Sequence, residues 1–191
     1  MRTLTLAHLM APRYNYTIME YTHSHESHSK PVYSLKDFLP LIGTFVVVAV
    51  STVFFGYVYN AGELTDWMRF FEGSFFLIFG VLKVINIRGF VDAYSMYDLV
   101  ARRIKAYGYI YPFIELGLGL AYILGFALVV TNWITLVVTL TGALGVFIKL
   151  REKEVVPCAC LGAIFKIPMT WVTLFEDLLM AGMAALMLFV L

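Results

Sequence analysis

Cysteine is almost absent from this chain of 191 residues: Cys158 and Cys160 are the only two. A single pair cannot staple a small secreted scaffold, and it cannot close a Cys-only tetrahedral zinc site. Charge is scarce as well, at 14% of residues, and nearly balanced, with 14 Lys and Arg against 13 Asp and Glu for a net +1. That balance excludes a basic nucleic-acid binder and an acidic disordered chain. The chain also lacks a nucleophile with a neighbouring base, a Gly-rich phosphate loop and a metalloprotease pattern, so nothing points to a hydrolase. The opening residues do not read as a secretory signal, because the short apolar stretch after Arg2 is interrupted by His8.

What the chain has in abundance is apolar surface. Hydrophobic residues make up 61% of it, and the mean hydropathy is +0.82. These values describe an all-α, polytopic membrane helix bundle, with the lipid bilayer as its first partner. About five spans of roughly 20 residues each fit the chain and leave little for a separate soluble domain. The hydropathy places them at Leu39 to Tyr59, Trp67 to Ile87, Tyr109 to Val130, Trp133 to Ile148 and Met169 to Leu191, with a very short connection at Thr131 and Asn132. Gly73 and Gly80 in the second span are small enough for a neighbouring helix to approach closely. Residues 1–36 read as a polar tail, and Met19 offers a second natural start within it.

Basic residues cluster in three segments: Arg2, Arg13, Lys30 and Lys36; Arg88, Arg102, Arg103 and Lys105; Lys149, Arg151, Lys153 and Lys166. In a five-span chain these segments share one side, and the positive-inside rule makes it the cytoplasmic side of the inner membrane, with the C-terminus outside. Segment 88–108 carries Phe90, Val91, Tyr94, Tyr97 and Leu99 followed by Arg102, Arg103 and Lys105, a pattern for a short helix at the interface.

The clearest chemical signal is VPCACLG at 156–162. Thiols one residue apart can bind a soft ion such as Cu(I) or Hg(II), or close to a strained and readily reduced disulfide. Pro157 and Gly162 frame a turn, and the nearby cations favour thiolates. A second signal is intramembrane charge: Lys83, Glu115, Glu176 and Asp177 are costly in hydrocarbon. At about 1.5 Å per residue they lie roughly 6, 9 and 10–12 Å from the cytoplasmic ends of their spans, beneath the cysteine loop. Lys83 is expected to pair with Glu115 or Asp177, or the group forms a polar vestibule that relays protons or receives a cation. Glu72 and Arg69, near the outer end of the second span, read as snorkelling residues. Met180, Met183 and Met187 read as a packing face. His23, His25 and His28 in the tail can bind Zn(II), Cu(II) or Ni(II) weakly.

Several stretches carry a family resemblance: GSFFLIFGVLKVINIRGFVDAYSMYDLVARR at 73–103, YPFIELGLGLAYILG at 111–125, GALGVFIKL at 142–150, and VPCACLGAIFKIPMTWVTLFEDLLMAGMAALML at 156–188. From about residue 67 to the end the chain resembles the MauE/DoxX family of redox-associated membrane proteins, with a subgroup that carries a heavy-metal-associated domain before the same bundle. The resemblance implies a four-helix domain over 67–191, preceded by an additional helix and outer loop over 37–66. It carries the family's paired cysteines onto Cys158 and Cys160, and its polar span positions onto Lys83, Glu115, Glu176 and Asp177. It implies thiol redox work or maturation of exported proteins.

Three functions follow as expectations. One is handling or transport of a thiophilic ion, Cu(I), Hg(II) or Zn(II), with a metal chaperone as partner. Another is thiol/disulfide redox or protein maturation with a thiol redox partner. The third is a non-enzymatic subunit or assembly factor of a membrane complex. None involves nucleic acid.

Overall fold

The computed structural model describes residues 38–152, 158–161 and 171–190. Six helices and no strands occur among them: α1 Leu39–Val58, α2 Leu64–Ile85, α3 Ile87–Tyr94, α4 Lys105–Leu124, α5 Leu128–Glu152 and α6 Trp171–Val190. Among the described residues α1, α4, α5 and α6 are each long and apolar enough to cross a membrane, and α2 with α3 qualifies as a broken fifth span. The two halves of that pair meet at 103°. Asn86 sits at the break, and its side chain accepts the Gly89 N–H at 3.3 Å, starting α3 in a new direction. The chain is thus a multi-pass membrane protein in contact with lipid.

Apolar residues here face two solvents. Val46, Val47, Val50, Val53 and Phe54 of α1 and Phe113, Leu120 and Leu124 of α4 lie exposed on the outside, where hydrocarbon is the natural neighbour. The inside holds aromatic rings and the few polar groups. Burial in lipid gives no hydrophobic drive between helices, so close approach must supply the packing. The α2–α4 and α5–α6 pairs are the most extensive. Gly73 and Gly119 bring the α2 and α4 backbones together, and Gly80 packs against Leu116 and Pro112, as the small residues of the second span led us to expect.

One turn falls elsewhere than the hydropathy suggests. Thr131 and Asn132 are buried inside α5, and the chain turns at Gly125 to Ala127 instead. Gly125 ends α4 in the left-handed region at φ 68°, a conformation glycine adopts without a Cβ penalty. The polar side chains of Thr131 and Asn132 look like loop residues only until their interior partners are known.

Segment 88–104 closes one end of the bundle. α3 buries Phe90, Val91 and Tyr94, and Tyr97 follows them inward. Asp98 Oδ1 then accepts the Val100 and Ala101 N–H groups at 2.9 and 2.7 Å, holding the turn that leads toward α4. The Tyr97 carbonyl lies against Gly145 of α5, so this loop and the C-terminal part of α5 are neighbours.

Candidate functional site

Cys158 and Cys160 are joined to each other in a disulfide. Of the two outcomes the CxC spacing allows, this is the one the protein adopts. Residues 158–161 are folded into the bundle end. Ala159 is fully buried with Phe90, Tyr94 and Tyr97, and Cys158 and Leu161 pack with Phe75, Phe76 and Phe79. The Tyr97 hydroxyl is hydrogen-bonded to the Ala159 backbone. Burial pushes the Tyr97 phenol up, with the Asp177 carboxyl adding to it, so the ring stays neutral at physiological pH. Cys158 is 5% exposed. Its Sγ accepts the Cys160 N–H at 3.2 Å and the Thr173 hydroxyl at 3.6 Å.

Beneath the disulfide lies a cavity of about 40 Å³. It is built by helical spacing on four spans. α2 contributes Phe76, Phe79 and Lys83, α4 Tyr111 and Glu115, α5 Thr139, Gly142 and Val146, and α6 Thr173, Glu176, Asp177 and Met180. Residues three or four apart share one helix face, and these sets obey that rule. Cys160 lines the same cavity. Lys83, Glu115, Glu176, Asp177 and Cys160, singled out separately along the sequence, thus meet in one place.

The Lys83 ammonium pairs with Glu115 Oε1, which selects Glu115 from its two expected partners. It also lies 5.6 Å from the Phe90 ring centre and 5.1 Å from that of Tyr111, within cation–π range. The cavity therefore holds one amine and three carboxyls. No cation other than Lys83 lines it among the described residues, and Glu176 Oε1 is buried without a hydrogen-bond partner there. Two carboxyls in excess of one amine, buried in the bundle, can stay only by holding protons or a counter-ion.

A second polar cluster lies toward the opposite ends of α2 and α4, and it corrects the snorkelling expectation for Glu72. Glu72 is 0% exposed. It shares the inner face of α2 with Phe76, Phe79 and Lys83, at intervals of four, three and four residues, and points inward as they do. Beside it the Tyr122 hydroxyl donates to Asn132 Oδ1 at 2.7 Å and takes the Thr135 hydroxyl at 3.0 Å. Arg69 reaches Asp66 at 3.3 Å and the Tyr122 carbonyl at 3.4 Å. Tyr122→Phe leaves Asn132 and Thr135 short of a partner and is expected to cost about 1–2 kcal/mol, read from unfolding in detergent micelles. A change below about 0.3 kcal/mol would show that the network contributes nothing.

Met180 and Met187 are buried in the core and Met183 packs at its edge, as a packing face requires. His23, His25 and His28 lie outside the described residues. Among the described residues no group of three or more His, Cys, Asp or Glu side chains is placed to hold a metal. The paired sulfurs offer no thiolate in this state, so the expected soft-metal site finds no support.

Fold and site together define a multi-pass helical membrane protein with a disulfide set over a buried, acid-rich polar cavity. The chain belongs to the MauE family: the family model described as methylamine utilisation protein MauE matches residues 61–190, which contain α2 to α6. No curated protein and no solved structure matches the chain.

Proposed function

We propose that this protein exchanges its Cys158–Cys160 disulfide with the dithiol of a partner protein, as a membrane-bound redox or maturation factor. The observation that carries the reading is the disulfide's position: it is formed, it is packed into the bundle end, and one of its sulfurs borders a cavity stocked with carboxyls. Oxidation of a dithiol delivers two electrons and releases two protons. The disulfide takes the electrons, and the carboxyl surplus beside Cys160 supplies groups that can hold and pass protons at that sulfur. Family membership supports the same context. Transport of a soft metal is a weaker reading, since it would first require reduction of the pair and a further donor to complete the site.

The basic residues Arg88, Arg102, Arg103, Lys105, Lys149 and Arg151 lie in or beside α3, the N-terminus of α4 and the C-terminus of α5. Their bias supports a cytoplasmic position for the cysteine end. A charged maleimide applied to either side of sealed, reduced vesicles tests this, and labelling from the outer face alone reverses the orientation.

The exchange itself is tested by incubating purified protein with reduced dithiothreitol, quenching with a maleimide and weighing the intact chain. Addition of two maleimides is the expected result, and of none when an oxidised dithiol is supplied to the reduced protein before the quench. A pair that stays oxidised under dithiol at all times, or one that once reduced is never reoxidised, sinks the reading.

A further inference from the structure

The two sulfurs of the disulfide are not equivalent, and the difference bears on how exchange proceeds. Cys158 Sγ is buried and accepts two hydrogen bonds, from the Cys160 N–H and the Thr173 hydroxyl. Cys160 is the less buried of the two and lines the cavity, and no donor among the described residues reaches its Sγ. Resting on the exchange reading above, we infer that exchange at this site has a fixed polarity: Cys160 is the sulfur attacked, Cys158 is the one that leaves, and Thr173 is the positioning residue that receives the leaving thiolate.

The chemistry follows from the balance of one displacement. An incoming thiolate attacks Cys160 Sγ, a new S–S bond forms there, the Cys158–Cys160 bond breaks, and the electron pair goes to Cys158 Sγ. The rate depends on access to the attacked sulfur and on how well the leaving sulfur bears negative charge. Donors already aimed at Cys158 bond more strongly to a thiolate than to a disulfide sulfur, because hydrogen bonds to an ionised acceptor are about twice as strong. Attack in the other sense would release the thiolate on Cys160, which lines the cavity with three carboxyls and has no donor among the described residues. The second thiolate of a partner dithiol then attacks the partner's own sulfur and frees Cys160. The partner's two protons go to Cys158 and Cys160. Two electrons have moved, and the partner leaves as a disulfide.

Thr173 is placed for this by α6. It stands in the first turn, three and four residues before Glu176 and Asp177, so its hydroxyl comes from the same helix face that lines the cavity. Valine has nearly the same shape without the hydroxyl, and serine keeps the hydroxyl, so the pair of substitutions separates hydrogen bonding from packing.

The test treats oxidised wild-type protein with the monothiol 2-mercaptoethanol, quenches with N-ethylmaleimide and locates both adducts by tandem mass spectrometry. The expected product carries the mercaptoethanol on Cys160 and the maleimide on Cys158, in about tenfold excess over the reverse. Thr173→Val is expected to slow its formation by about tenfold, and Thr173→Ser to restore the wild-type rate within about twofold. Equal or reversed adducts would overturn the polarity while leaving exchange intact. A Val variant as fast as wild type would remove Thr173 from the step. If neither cysteine ever captures the monothiol, the exchange reading fails and takes the polarity with it.

Discussion

Lys83→Met is expected to destabilise the bundle by about 3–5 kcal/mol, the usual cost of removing one partner from a buried ion pair. The Lys83 side chain is 8% exposed and that of Glu115 is 3% exposed, so neither can turn to water when its partner goes. The loss is sharper here because Lys83 is the single cation among the described residues that line the cavity, and three carboxyls line it with it. Met keeps most of the stem volume, so the experiment isolates charge from packing. At equilibrium the expected change is a factor of about 10² to 5 × 10³ in the folded ratio, readable from unfolding in detergent micelles.

The double variant Lys83→Met/Glu115→Leu is the informative companion. A buried pair replaced by apolar side chains of similar size is often neutral or better. Most of the lost stability should therefore return, short of what Glu176 and Asp177 still cost without a cation. If the single substitution stays within 1 kcal/mol of wild type, the pair is not a desolvated one and the cavity is wetter than its lining suggests. If the double is no better than the single, the loss comes from packing.

Much of this arrangement is legible in the sequence, and the reason lies in the scarcity of its polar residues. A chain with few charges cannot hide one in a hydrophobic run, so Lys83, Glu115, Glu176 and Asp177 stand out, and counting 1.5 Å per residue puts them at similar depth. Depth alone misjudges Glu72. It lies near the start of the span that hydropathy begins at Trp67, where a long side chain can reach water, yet α2 begins earlier, at Leu64, and its face decides the outcome: Phe76, Phe79 and Lys83 follow on the same stripe of α2, and that stripe is the buried one. The four-three-four spacing could have shown this. Thr131 and Asn132 mislead for the opposite reason, since polar residues between two hydrophobic runs look like a connection. The role of Asn132 needs Tyr122 of the preceding helix, which no local pattern supplies, while the Thr131 hydroxyl donates to the Phe126 carbonyl in the turn. The stop signal was present two turns earlier, in Gly125. The oxidation state of Cys158 and Cys160 is a different matter, because CxC spacing permits thiolate ligation and disulfide alike.

Gly119→Leu is expected to force the α2 and α4 backbones apart. A Cβ at this position would lie 2.9 Å from the Leu77 backbone nitrogen and 3.0 Å from the Gly73 carbonyl oxygen. Backbone inside a helix cannot step aside alone, so the two helices must separate. Overpacking costs about 1–3 kcal/mol for added methylenes in an ordinary core, and a whole isobutyl group against backbone belongs at or above the top of that range. Because van der Waals contact, not hydrophobic transfer, holds spans together in lipid, the separation removes the main source of association for this pair. The effect should also travel along the interface. Lys83–Glu115 is an α2–α4 pair, as is the Phe76–Tyr122 stack at 6.3 Å, so both polar clusters should loosen. Gly117, two residues away on the same helix, has nothing within 4 Å of where its Cβ would sit. Gly117→Leu adds the same side chain on the outer face and is expected to stay within about 1 kcal/mol of wild type. Unfolding of the two variants side by side in detergent micelles decides it, and equal losses at 117 and 119 would rule out close backbone packing as the cause.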